Sequence, residues 1–169
     1  MRKAPAIMFM LLTLAACDDG SKSSTPSLHW VSEMPDQAAA IYFSAGEFTP
    51  SRLVATVAAR GMEQISGFAL RLSYDPEKLR FVEFRPSSSW QVRPHTAAAA
   101  RDGLVLVGIG REPDAAGLVF DQRNVGTFVF EVLVPDALQL SFISVKSAAF
   151  DTNGVPIPGV AFSGGGVVR

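Results

Sequence analysis

The chain has 169 residues, of which 48% are hydrophobic and 18% are charged, and its formal net charge is −1. This length suits one domain and hardly two. The near-neutral charge, without a basic stripe or an arginine cluster, argues against nucleic acid as a partner, and the single cysteine excludes a disulfide bond within the chain.

The N-terminal segment has the pattern of an export signal. Arg2 and Lys3 form a basic start, and the apolar run AIMFMLLTLAA follows up to Cys17. This run has about half of the ~20 residues that a membrane-spanning helix needs. The pattern is therefore typical of a cleaved signal peptide, which we predict at residues 1–16.

Removal of the signal leaves one short linker and one domain. Of the 15 basic residues, 13 remain after the loss of Arg2 and Lys3, against 16 acidic residues, so the net charge becomes −3. The stretch DDGSKSSTPS is polar and rich in serine, which is typical of a flexible tether. We predict a tether over residues 17–39 and one folded domain over residues 40–169.

The four residues LAAC, which end at Cys17, resemble the lipobox of bacterial lipoproteins. The resemblance implies cleavage before Cys17 and attachment of lipid to its thiol and to the new amino terminus. Several acyl chains would hold the protein stably on a membrane that it does not span. We therefore expect a location in the cell envelope, on the periplasmic side of a membrane or at the cell surface. Asp18 resembles an inner-membrane retention signal and favours the inner membrane.

Beyond the tether, short apolar runs are separated by Gly, Pro, Asp and Asn. In ISGFALRLSY, Phe68, Leu70 and Leu72 fall on one face, while Arg71 and Ser73 fall on the other. This period of two predicts a half-buried strand. Similar runs follow, with turn signals every 8 to 12 residues or so, as is typical of a β-sandwich or barrel. The fold class predicted is all-β.

Three segments are less clear. PHTAAAARDG, residues 94–103, is predicted as a short helix or a connecting loop. SWQVR is predicted as a short strand, with Trp90 at a sheet edge. Trp30 lies near the end of the tether and is either exposed or packs the N-terminal segment onto the domain.

The segment SYDPEK raises the question of a reactive site, because two carboxylates and a phenol adjoin a proline. No histidine, third carboxylate or nucleophile stands beside Asp75 and Glu77. Pro76 fixes its own φ near about −65° and biases Asp75 towards an extended conformation, as the first corner of a turn requires. We therefore predict a corner that ends a strand, after which Leu79 returns the chain to the core.

The sequence contains no motif that supports catalysis or a cofactor. His29 and His95 stand in no HExxH or His-x-His arrangement and are expected in exposed loops. No GxSxG elbow occurs, and GIGREP has Pro113 where a dinucleotide fingerprint needs its third glycine. We predict that the chain is not an enzyme and has neither a cofactor nor a metal site.

The sequence DTNG, residues 151–154, has two interpretations. It resembles the opening of a calcium loop, but the later ligands and the closing glutamate are missing. Asn153 and Gly154 form a strong tight-turn pair, because both tolerate a positive φ. A turn is favoured, and a cation held by Asp151 and Asn153 is the alternative.

The order of the segments resembles the cohesin family and the carbohydrate-binding modules that share its jelly-roll sandwich. The matching segments are LVATVAARG, ISGFALRLSYDPEKLRFVEF, GLVFDQRNVGTFVFEVLV and FDTNGVPIPGVAFSGGGVV. In cohesins a strand commonly ends in Tyr-Asp-Pro-x-x-Leu, which occurs here from Tyr74 to Leu79. The resemblance covers residues 40–169 and implies a cohesin-like jelly-roll β-sandwich of about nine strands.

The resemblance implies a non-catalytic module that binds a protein partner, either a dockerin-like helical segment or another envelope or secreted protein. In cohesin complexes, it further implies, the dockerin carries the calcium and the cohesin offers a sheet face. A lipoprotein that binds a polysaccharide is the alternative, and a structural subunit of an envelope assembly is a third. The candidate partner-binding residues, beside the loops at 85–96 and 111–124, are Arg71, Ser73, Arg80, Glu83 and Trp90.

Overall fold

The computed structural model describes residues 27–90, 94–101, 103–112 and 114–169, and it shows two β-sheets. The predicted signal peptide, Cys17, Asp18 and the first part of the tether lie outside these residues. Among the residues described, no helix has the length and apolar character needed to cross a membrane.

The described part of the chain forms thirteen strands and two short 3₁₀ helices, at Ser88–Trp90 and Ser144–Lys146. The strands are β1 (His29–Ser32), β2 (Ala40–Thr49), β3 (Arg52–Arg60), β4 (Met62–Ser73), β5 (Leu79–Pro86), β6 (His95–Arg101), β7 (Leu104–Gly110), β8 (Leu118–Phe120), β9 (Arg123–Val132), β10 (Leu138–Phe142), β11 (Ala148–Asp151), β12 (Ala161–Ser163) and β13 (Gly165–Val168).

The strands form two sheets. The larger sheet has the order β1-β13-β10-β4-β7-β6, and β8 and β11 also pair with β4. The smaller sheet has the order β12-β2-β3-β9-β5. Among these pairs, only β12 and β2 run parallel. The prediction of an all-β sandwich is confirmed.

The core lies between the two sheets and is built by the alternation of side chains along each strand. In β4, Phe68, Leu70 and Leu72 are buried, while Arg71 and Ser73 are not. In β9 of the opposite sheet, the phenylalanines point inward in the same way. Since successive residues of a strand point to opposite sides, each sheet buries one face and leaves the other available.

Aromatic rings fill much of this interior. Phe43 of β2, in the smaller sheet, stacks on Phe142 of β10, in the larger sheet, with 5.0 Å between ring centroids. Farther along the core, Phe68 and Phe120 meet with their rings edge to face at 5.2 Å. Edge-to-face aromatic pairs add to the stabilisation that burial alone supplies. The rings therefore fix how the two sheets lie against each other.

The corner predicted at SYDPEK is confirmed. Strand β4 ends at Ser73, and the Asp75 carboxylate accepts a hydrogen bond of 2.9 Å from the amide of Glu77. The carbonyl oxygen of Asp75 accepts another, also of 2.9 Å, from the amide of Leu79, where β5 begins. The Asp75 side chain therefore stabilises the turn.

The number of strands and the start of the domain differ from the predictions. The described residues form thirteen strands instead of about nine, because short strands such as β8 lack an alternation long enough to detect and the run VAFSGGGVV divides into β12 and β13. The predicted tether reached residue 39, but β1 pairs with β13 along its whole length. Trp30 packs edge to face on Phe43 with 5.7 Å between centroids, so it attaches this segment to the core.

Residues 94–103 form neither a helix nor a loop, since His95–Arg101 is strand β6, which pairs with β7. The prediction for Trp90 is also wrong. Trp90 ends a 3₁₀ helix, is 1% exposed, and donates a hydrogen bond of 2.8 Å from its indole nitrogen to the carbonyl of Val125. Residues 91–93 of the predicted short strand lie outside the described residues.

Replacement of Trp90 should reduce stability because its ring packs against Phe68 and Phe120. We expect Trp90→Ala to lower the free energy of unfolding by about 3–5 kcal/mol. Urea unfolding followed by circular dichroism measures this change. The control Val145→Ala alters a side chain that is 88% exposed and should change stability by no more than about 0.5 kcal/mol. Equal effects of the two substitutions would contradict the buried position of Trp90.

Candidate binding surfaces

The outer side of the larger sheet carries an open surface on three adjacent strands. The registers of β4 with β7 and of β7 with β6 place residues opposite one another on this side. We call it the β4–β7–β6 face, and it comprises Ala69, Arg71, Ser73, Ala97, Ala99, Arg101, Leu104, Leu106 and Gly108.

The centre of this face is apolar and low in relief. Leu104 and Leu106 remain only half-buried, although Val105 and Val107 between and beside them are fully in the core. Gly108 and Ala99 are exposed and add almost no height. Because small side chains let another surface approach the sheet closely, the leucines can be covered by a partner. Polar groups, including Arg71 and Ser73, lie beside this centre.

β10 and β11 pair one after the other with the same edge of β4, and contacts at the gap between them position Arg71 and Ser73. Ser73 donates a hydrogen bond of 3.0 Å from its hydroxyl to the carbonyl of Ser141 in β10. Ser147 accepts a hydrogen bond of 3.0 Å from the amide of Arg71, and its hydroxyl donates to the carbonyl of Ile143 at 3.0 Å. Ser147, which sequence reasoning missed, thus replaces the strand pairing that is interrupted at this point.

Arg80 and Glu83 lie on the outer side of the smaller sheet. Arg80 forms an ion pair with Glu131 of the neighbouring strand β9. Glu83 accepts a hydrogen bond of 2.9 Å from Arg85, and this contact holds the pKa of Glu83 below its usual range. The four predicted surface residues are therefore divided between opposite sides of the sandwich and form no single surface.

The outer side of the smaller sheet has a shallow depression of about 340 Å³. Its rim is charged, and its floor includes Val129, which is only 3% exposed. The charges at this rim already occur largely as neighbouring ion pairs, which contribute little and are screened by salt. The exposed Val82 is the main apolar side chain at this rim. The lining residues are Ser51, Arg52, Val82, Glu83, Arg85, Val129, Phe130 and Glu131.

The tryptophan and tyrosine side chains are engaged in packing. Trp90 and Tyr42 are 1% and 2% exposed, and the Arg60 guanidinium lies 5.6 Å from the centroid of the Tyr42 ring. Tyr74 is half-buried against Phe130, and Trp30 is half-buried against Phe43. Within the described ranges, these rings therefore form no exposed row of the kind that stacks on sugars.

The two histidines are exposed. Nε2 of His95 lies 2.6 Å from a carboxylate oxygen of Glu112, and Nδ1 of His29 lies 3.3 Å from the carbonyl of Ser27. His29 belongs to strand β1 and His95 to strand β6, so neither lies in a loop as predicted. In the part of the chain that the structure describes, no three His, Cys, Asp or Glu side chains cluster as metal ligands would.

The turn predicted at DTNG is confirmed. One carboxylate oxygen of Asp151 accepts hydrogen bonds of 2.8 Å from the amides of both Asn153 and Val155, and Gly154 has a φ of +74°. These hydrogen bonds lower the pKa of Asp151 below its ordinary value, and the bond from the amide of Val155 has the largest effect. The carboxylate therefore stabilises the turn between β11 and the following segment.

This jelly-roll architecture is found in cohesin domains among the solved structures. The third cohesin of ScaC from Acetivibrio cellulolyticus, in complex with the ScaB dockerin, is 15% identical, with 68% of this chain and 86% of that chain covered and a TM-score of 0.58. A type II cohesin domain from the cellulosome of the same organism is 19% identical, with 79% and 95% covered and a TM-score of 0.57.

A third similar structure is the non-cellulosomal cohesin from the hyperthermophilic archaeon Archaeoglobus fulgidus. It is 16% identical, with 68% of this chain and 78% of that chain covered and a TM-score of 0.53. No protein-family model and no curated protein sequence matches the chain. At these identities the comparisons show the fold, so the chain has a cohesin-like fold.

The Asp151 turn predicts a pH dependence of stability. Because the folded-state pKa is depressed, the carboxylate contributes its stabilisation above its ordinary pKa of 3.8, and this contribution is lost as the pH falls through the folded-state value. We expect Asp151→Asn to be less stable than the wild type at neutral pH, and the difference to shrink below pH 3.8. Thermal unfolding of both proteins across this range tests it. A difference that is independent of pH would contradict the role given to the charge.

Proposed function

We propose that the chain is a non-catalytic module that binds a protein partner through the β4–β7–β6 face, while lipid on Cys17 holds it at a membrane. The observation that carries this proposal is the pair of half-buried leucines, Leu104 and Leu106, on an otherwise low sheet surface. Protein interfaces commonly combine such an apolar centre with a polar rim. Arg71 and Ser73, predicted from the sequence, belong to that rim.

The dimensions of the face indicate how far a contact must extend. Seven residues of a strand span roughly 24 Å, and three strands span roughly 10 Å between the outer two. A stable interface needs about 800 Å² on each partner, which is more than this area. A partner that covers the leucines therefore also reaches β10 and β11 or the loops beside β6. The loops predicted at 85–96 and 111–124 adjoin this region in the sequence.

Two of the similar structures bear on the kind of partner. The ScaC cohesin and the sixth cohesin of scaffoldin B, both from Acetivibrio cellulolyticus, are complexes with dockerins. The common fold supports a protein partner, and a dockerin-like segment is the form that we propose first. Another envelope or secreted protein would use the same apolar centre. The packed tryptophans and tyrosines give the polysaccharide alternative no comparable support.

The position of β1 supports membrane anchoring without loss of the binding face. His29 pairs with Val168, so the tether joins the sandwich beside the last strand, away from β6 and β7. Eleven residues separate Cys17 from His29 and span at most about 38 Å. Such a tether would leave the β4–β7–β6 face free to meet a partner in the envelope.

A charge placed in the apolar centre should prevent binding. We expect Leu106→Asp to abolish capture of the partner in pull-downs from the organism's secreted and envelope proteins, because a partner that covers this centre must remove water from the added carboxylate, and Arg71 on the neighbouring strand offsets only part of that cost. The matched control Thr56→Asp places the same charge on the outer side of the smaller sheet and should retain capture. Capture that survives Leu106→Asp, or retention of a glycan in place of a protein, would refute the proposed site.

The anchor has an independent test. We expect Cys17→Ser to move the protein from the membrane fraction to the soluble fraction and to remove the mass of the acyl chains, since the lipid supplies the membrane affinity. Asp18→Ser is the matched control, because it should leave acylation intact and change only the choice of membrane. Unchanged membrane association and mass in Cys17→Ser would show that Cys17 carries no lipid.

A further inference from the structure

The edge strands of the two sheets differ in how they are protected from pairing with another chain. β1 and β12 are short, with four and three residues. β5 has eight residues, but its register shifts between Phe81 and Glu83 and it ends at Pro86. Short length, bulges, charges and proline are the features by which edge strands avoid association.

β6 has none of these protections over its central part. It runs for seven residues, and it pairs with β7 in one unbroken register from His95 to Arg101. All seven residues are exposed, and the stretch from Thr96 to Ala100 contains neither charge nor proline. Within the described ranges, no strand pairs with the other side of β6. Its outward N–H and C=O groups can therefore accept a further strand.

The side chains of β6 favour a second copy of the same strand. Pairing two β6 strands antiparallel about Ala98 sets alanine opposite alanine at positions 97 to 99, so that nothing larger than a methyl group separates them at the strand spacing of about 4.8 Å. A contact of this kind uses the same patch on both subunits and closes with two-fold symmetry.

Charge complementarity selects this register. With Ala98 on the two-fold axis, Arg101 of the second copy lies opposite His95 and on the same side of the sheet. His95 holds the Glu112 carboxylate at 2.6 Å from its Nε2, so a guanidinium meets a carboxylate at each end of the paired strands. Opposite charges across neighbouring strands stabilise the pairing, whereas like charges oppose it.

We propose that β6 pairs antiparallel with β6 of a second copy, centred on Ala98, and joins the two larger sheets into one continuous sheet. The two β4–β7–β6 faces then lie side by side on one surface. The pairing uses the edge of the strand and leaves Leu104 and Leu106 accessible. It requires neither the lipid on Cys17 nor a particular partner, so it can fail or succeed independently of the proposed function.

Cysteine substitution in the full chain, expressed in cells with the domain exported to an oxidising compartment, tests the register. In Ala98→Cys the two thiols face each other across the axis, at a separation that a disulfide bond can span. We expect a reducible dimer on non-reducing gels at several times the level in the wild-type chain. The wild type supplies the background, because Cys17 is its only cysteine.

Thr96→Cys is the matched control on the same strand. Its thiol faces Ala100 of the second copy and lies roughly 13 Å from its own equivalent, four residues away, so dimer should remain at background. The double variant T96C/A100C should restore it, since the two positions are then paired. Dimer at background in Ala98→Cys, or equal dimer in Ala98→Cys and Thr96→Cys, would overturn the proposal.

Discussion

The aromatic packing between the two sheets is the interaction on which the rest of the structure depends. Phe43 in the smaller sheet stacks on Phe142 and meets Trp30, both of which belong to strands of the larger sheet. Phe68 in the larger sheet meets Trp90 and Phe120. Since side chains alternate along a strand, each ring that points into the core places the residues before and after it on the outer face of the sheet. The position of Leu106 on an open sheet face is therefore a consequence of how Val105 and Val107 are buried.

The burial of aromatic residues also limits which kinds of ligand the outer surface can bind. Trp90 and Tyr42 are buried, so the exposed sheet surfaces consist of small, aliphatic and charged side chains. Such a surface suits a protein with matching relief better than a sugar ring that needs an aromatic platform. The N-terminal strand β1 lies beside β13, and the open face and the open edge at β6 lie elsewhere on the same sheet. The proposed attachment, recognition and self-association would thus use separate parts of the molecule.

The features that the sequence predicts well are local. The alternation in β4 and the turn chemistry of Asp75 and Asn153 depend on a few neighbouring residues, and the structure has them as predicted. The four alanines of β6 carry no such signal, because their strand conformation comes from pairing with β7. Likewise, nothing near Arg71 or Arg80 says that β4 and β5 join different sheets, since strand order is set by contacts distant in sequence.

The central claim, that the β4–β7–β6 face meets a protein partner, is most directly tested by photo-cross-linking in cells. A photoreactive amino acid at position 106 would lie at the centre of this face, and one at position 56 would lie on the outer side of the smaller sheet. The account predicts a covalent adduct with one defined protein from position 106 and none from position 56. Adducts from position 56 alone, or none from position 106, would contradict it.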